Sequence, residues 1–146
     1  YNYRLTNIQA AMGVAQMEKL DEFISVKRKN ALLYRELLSE LEGVRFVWEK
    51  QWSKSNFWFY TIKVSTDHKK PLVDYLISKN IQVRPIWKPI HTLPMYEGCQ
   101  AYKIESTLNI YDTAFNLPCS VSLKEHDIDF IVDNIKHYFS SKGMVT

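Results

Sequence analysis

Helical spacing runs through the opening third of this chain, and it limits the possible folds more than any other feature. Apolar residues recur at Ile8, Ala11 and Ala15, then at Leu20, Phe23 and Ile24, and again at Ala31, Tyr34, Leu38 and Leu41. That interval returns side chains to one face of a helix. Thr6 and Gln9 stand at capping-box spacing, so each side chain can reach the other's backbone amide and start the helix. An interruption is expected near Asp21, and Gly43 suits a left-handed cap at the end. A helical segment of this length cannot bury its stripe on a small sheet. Part of it is therefore expected to face another domain or another subunit.

The remainder alternates strand and helix signals. Phe57 to Val64 is rich in aromatic and β-branched residues and reads as a central strand, its aromatics in the core. Asp67 is a candidate cap for a helix from Pro71 to about Lys79, with Leu72, Leu76 and Ile77 inward. Ile81-Gln82-Val83 reads as a short strand, and Pro85, Pro89 and Pro94 oppose regular structure beyond it. A helix is expected from Ile104 to Ala114, broken by Leu117-Pro118. Ser122 to Glu125 has the spacing of a second capping box, and Ile128, Ile131, Val132, Ile135 and Phe139 share one face of a last helix. The expected architecture is a single α/β domain over residues 1–146, its helices covering one face of a short sheet.

Composition excludes several classes. The 146 residues carry a formal net charge of +3, and the lysines are interleaved with acids, so no basic stripe points to nucleic acid. No apolar run approaches the ~20 residues that span a membrane. Cys99 and Cys119 form no Cys-x-x-Cys pair and read as reduced thiols, which gives a cytoplasmic expectation. His68, His126 and His137 lack metal-ligand spacing, so no metal site is expected. Asp127, Asp129 and Asp133 read as a solvated helix face. With only 4 glycines there is no Gly-rich phosphate loop.

One cluster of side chains suits ligand chemistry. Arg84, Trp87, Lys88, His91 and Tyr96 sit on a proline-stiffened stretch. Prolines reduce the entropy lost in holding side chains outward. Guanidinium and ammonium groups match a diphosphate, and an aromatic face can stack on a base or sugar. The plainer reading is a connector with Trp87 as a core plug and His91 satisfied by backbone. The cluster as a whole favours binding, since loops tend to carry function.

Three stretches carry a family resemblance: Tyr1-Asn2-Tyr3-Arg4-Leu5-Thr6-Asn7-Ile8-Gln9-Ala10-Ala11 at the start, the run from Arg84 to Tyr96, and Leu117-Pro118-Cys119-Ser120-Val121-Ser122-Leu123 before the last helix. The chain resembles the DegT/DnrJ/EryC1/StrS sugar aminotransferases, pyridoxal-phosphate enzymes of fold type I, over most of its length. The resemblance implies the small C-terminal domain of a longer enzyme, with the cofactor domain and its Schiff-base lysine upstream. On its own the chain would then be inactive. The positions matching the family's cofactor-phosphate contacts are Asn2, which would reach the neighbouring subunit's site in a homodimer, and Arg4. Arg84, Trp87, Lys88, His91 and Tyr96 match its substrate entrance. The implied reaction moves an amino group, usually from glutamate, to a nucleotide-linked keto sugar in polysaccharide biosynthesis. The Arg84 to Pro89 run resembles the branch that aminates UDP-linked 4-keto-6-deoxy-N-acetyl sugars. Two rivals stay open: a same-fold sugar 3-dehydratase with histidine in place of the lysine, and a non-catalytic module that binds small ligands or dimerises.

Overall fold

Thr6 caps as its spacing predicts. In the computed structural model, which describes residues 4–143, the Gln9 amide donates to Thr6 Oγ1 at 3.3 Å and the Thr6 amide donates to Gln9 Oε1 at 3.0 Å. Helix α1 (Asn7–Glu18) follows, turns at Lys19, and continues as α2 (Leu20–Leu37). The break thus falls slightly before Asp21. No residue of α1 is buried. Ile8, Met12 and Met17 are 75%, 67% and 66% exposed, so the expectation of an uncovered stripe holds for this helix.

Gly43 does not cap α2. The helix stops at Leu37, and successive turns carry Leu41 and Val44 back into the core. Gly43 adopts φ 83° in the turn that enters the sheet, where only a residue without Cβ fits easily.

The sheet is wholly antiparallel. It contains β1 (Arg45–Phe46), β2 (Tyr60–Lys63), β3 (Arg84–Pro85) and β4 (Ala114–Leu117), in the spatial order β1-β2-β4-β3. The central strand expected from Phe57 begins only at Tyr60, because Phe57 takes φ 47° and the chain bends through Trp58 and Phe59. The short strand expected at Ile81 to Val83 falls instead on Arg84 and Pro85. Ile81 and Val83 are buried, but the ladder bonds run from the next two residues. Pro85 is tolerated because β3 is an edge strand. Strand β4 is the element the sequence pattern hid; it starts at Ala114, where the expected helix ends, and fills the stretch up to the Leu117-Pro118 break.

Helix α3 (Thr66–Ser78) starts before Pro71, which lies inside it. The cap is at Ser65 rather than Asp67, which sits in the first turn. Leu72 and Leu76 are buried, but Ile77 is 54% exposed and does not point inward. Helix α4 (Glu105–Thr113) leads directly into β4. Helix α5 (Glu125–Ser140) opens when Asp127 accepts from the Lys124 amide at 2.8 Å. The box expected at Ser122 therefore does not form; the Ser122 amide and hydroxyl pair with Ser120 Oγ instead.

Register explains the layers. Tyr60 lies opposite Leu117 and Ile62 opposite Phe115, so these four project to one face. There they join Tyr34 of α2, Leu72 and Leu76 of α3, and the predicted α5 stripe of Ile128, Ile131, Val132, Ile135 and Phe139 in one buried cluster. The other face carries Thr61, Lys63, Asn116 and Arg84. Buried Asn116 is satisfied there by Thr61 Oγ1, which donates to its Oδ1 at 2.7 Å. The expected α/β architecture, a short sheet with helices on one face, is what forms. Among the described residues no helix is long and apolar enough to cross a membrane.

Candidate functional site

The site is built on a bend that α2 holds from beneath. Arg28 donates to both carboxylate oxygens of Glu49, at 3.0 and 2.7 Å, and to the Ser55 carbonyl. Glu49 in turn accepts from the Ser55 amide. Hydrogen bonds from Arg28 and Ser55 hold the Glu49 carboxyl at a pKa of about 2, because both stabilise its charged form. The loop before β2 is thereby fastened to the helix. Lys27 completes the brace by donating to the Cys119 carbonyl at 2.6 Å and the Trp58 carbonyl at 3.1 Å. One ammonium ties the bend to the segment that follows β4.

Phe57 turns inward against Trp48, with ring centroids 4.7 Å apart, while Trp58 turns outward. Trp58 is 63% exposed, so it is not the core residue that its strand-like neighbourhood suggests. It meets Trp87 with centroids 5.9 Å apart, and Phe59 contacts both indoles at 4.7 and 5.0 Å. Beneath this aromatic group lies a groove of about 500 Å³, bounded by Phe59, Gln82, Arg84, Trp87, Asn116 and Cys119 among others. Its walls combine two aromatic rings, one guanidinium and neutral hydrogen-bonding groups. That mixture suits an organic anion with a flat ring.

The residues singled out from sequence divide into three groups. Arg84 and Trp87 line the groove together, and Trp87 is 67% exposed rather than a core plug. Lys88 is exposed just beyond it; His91 and Tyr96 lie on two consecutive 3₁₀ turns, Ile90–Thr92 and Pro94–Tyr96, and do not line the groove. Arg4 is exposed in the segment that precedes α1, and Asn2 lies outside the described residues. Sequence reasoning missed Trp58, Phe59, Asn116 and Cys119. The first two were visible as an aromatic run, but nothing in the run distinguishes inward from outward rings.

Among the described residues no group of three or more His, Cys, Asp or Glu could hold a metal ion. Burial lowers the pKa of Lys27 and of Lys69, the usual route to a nucleophilic amine. Both amines are committed as donors, Lys27 as above and Lys69 to the Tyr111 carbonyl. Neither faces the groove as a free nucleophile. For a phosphate-bearing cofactor these residues offer Arg4, whose guanidinium matches a phosphate and which stands at the exposed start of the chain.

The chain as a whole has relatives among known proteins. GDP-perosamine synthase of Escherichia coli O157:H7 is 36% identical over 144 residues, covering 97% of this chain and 38% of that protein. The dTDP-4-dehydro-2,6-dideoxy-D-glucose 3-dehydratase of Saccharopolyspora spinosa is 28% identical, covering 98% of this chain and 32% of that protein. In structure the chain is similar to Helicobacter pylori PseC, an aminotransferase involved in the biosynthesis of pseudoaminic acid. The TM-score is 0.88 at 23% identity, over 97% of this chain and 39% of that one. The chain thus spans well under half the length of the proteins it matches, and their shared fold is that of a pyridoxal-phosphate fold type I small domain. Pyridoxal phosphate is the cofactor that this kinship brings. With residues 1–136 matching its family model, the chain belongs to the DegT/DnrJ/EryC1/StrS aminotransferase family.

Proposed function

We propose that this chain is the C-terminal domain of a homodimeric pyridoxal-phosphate aminotransferase that moves an amino group from glutamate to a nucleotide-linked keto sugar. The observation that carries the reading is similarity to GDP-perosamine synthase along nearly the whole chain. The groove is consistent with it. Arg84 would meet the diphosphate, and Trp87 would lie against the base or sugar. Lys88, His91 and Tyr96 would shape the approach from the turns beyond β3. Arg4 and Asn2 would reach the cofactor phosphate, Asn2 across the dimer. Pyridoxal phosphate, when bound, supplies the electron sink for the amino transfer. The residues of this chain position and neutralise charge around it.

A second reading, 3-dehydration of the sugar, is favoured by the dehydratase relative, though at lower identity. The full-length protein decides between them. Glutamate should change its visible absorption, and GDP- or UDP-linked 4-keto-6-deoxy sugar should then return it, with an amino sugar detected by mass. Loss of the sugar's 3-hydroxyl with no nitrogen gained would mean a dehydratase. In that protein Arg84→Ala and Lys88→Ala should raise KM for the sugar nucleotide with little change in kcat, since their contacts serve substrate and transition state alike. The glutamate step should be spared. Equal loss in both steps would assign these residues to the fold instead.

A further inference from the structure

Phe57 adopts φ 47°, a conformation that a bulky residue keeps only where its surroundings over-determine it. They do so here. Its ring packs on Trp48 with Arg28 above it, and its amide donates to Ser55 Oγ at 3.0 Å. The Trp58 amide donates to Asn56 Oδ1, also at 3.0 Å, and Lys27 holds the Trp58 carbonyl. The core gains only the Phe57 ring from this bend. Its other product is the position of Trp58, turned away from the core and set against Trp87 beside the Arg84 groove.

Single exposed apolar residues are ordinary on protein surfaces. Two adjoining indoles, each about two-thirds exposed, on a braced and strained bend are a different case. The groove beside them joins polar side chains, Gln82, Arg84, Asn116 and Ser120, to apolar walls at Phe59, Pro85, Leu117 and Pro118. Such a mixture, one guanidinium among rings and apolar walls in a concave site, is typical of a small-ligand pocket. A flat heterocycle with polar edges and an attached anion would satisfy both halves.

We propose that Trp58, together with Trp87, is the stacking platform for the base of the nucleotide sugar, while Arg84 in the adjoining groove takes the diphosphate. The proposal deepens the functional reading above and rests on it. The two indoles already meet at 45° with centroids 5.9 Å apart, so a base lies on an outer face rather than between them. Stacking of this kind accepts any base, because every base has a π-face. Selection among nucleotides then falls to the polar groups along the groove.

The test compares inhibition of nucleotide-sugar turnover by UDP or GDP with inhibition by inorganic pyrophosphate, using the full-length enzyme. Trp58→Ala should weaken inhibition by the nucleoside diphosphate about tenfold or more. Pyrophosphate, which has no base, should inhibit as it does the wild type. Trp58→Phe should restore most of the difference, with the melting temperature held. Equal weakening toward pyrophosphate and nucleoside diphosphate would overturn the assignment, as would no weakening of either. Dimer dissociation without a base-dependent change would make Trp58 an interface residue and overturn it too. A wild-type enzyme that accepts nitrogen from glutamate yet turns over no nucleotide sugar would remove the functional reading itself.

Discussion

Glu49 shows how one side chain fixes a loop. Its carboxyl ordinarily titrates near 4.5 and is held at about 2 in the folded chain by Arg28 and the Ser55 amide. A folded value below the unfolded one means that this stabilisation is complete above the unfolded pKa. It is lost as pH falls from about 4.5 toward 2. Glu49→Gln should therefore flatten the dependence of the urea midpoint on pH across that window; an unchanged acid limb would show that the ion pair is incidental. The same residue-scale logic applies to Asn2 in the proposed full-length enzyme. If it donates to the cofactor phosphate, Asn2→Ala should cost about 1.5–3 kcal/mol of cofactor affinity, read by equilibrium dialysis. Mixed dimers carrying one wild-type subunit should recover one site. Unaltered affinity in a folded Asn2→Ala dimer would remove Asn2 from the site.

At the level of elements, β4 and α5 hold the domain together. Phe115 is fully buried between the sheet and the helices, and Phe115→Ala should cost about 3–5 kcal/mol in urea unfolding. Helix α1 should behave in the opposite way. Replacing Ile8 and Met12 by serine should change the stability of the chain itself by no more than about 0.5 kcal/mol each, since neither is buried. In the proposed full-length dimer the same changes should weaken association, measured by sedimentation. This contrast reflects what sequence can express. The α5 stripe and the Thr6 cap were legible because each depends on residues a few positions apart in one element. Strand β4 was not, because Ala114-Phe115-Asn116-Leu117 has no alternation, and Asn116 is tolerable inside only once Thr61 stands beside it. Arg84 and Trp87 were recognisable from their chemistry. That Trp58 joins them while His91 and Tyr96 do not depends on the Phe57 bend and the two 3₁₀ turns, which leave no periodic trace.

At the largest scale, the sheet of this chain has two very different faces: one covered by helices around a continuous core, and one bearing Arg84, Lys63 and the aromatic groove. Its lysines with lowered pKa are engaged with backbone carbonyls. The chain of residues 1–146, treated with pyridoxal phosphate and borohydride, should accordingly give no stoichiometric single-site adduct by intact mass. A clean one-to-one adduct would show that it carries its own cofactor lysine. Helix α1, which buries nothing, has one more consequence. A saturation library scored for folding of this domain should tolerate almost any non-proline residue at Ile8, Met12 and Met17. The same library scored for growth that depends on the proposed full-length enzyme should not. The difference between the two tolerance maps, position by position along α1, would trace the footprint of whatever lies against it.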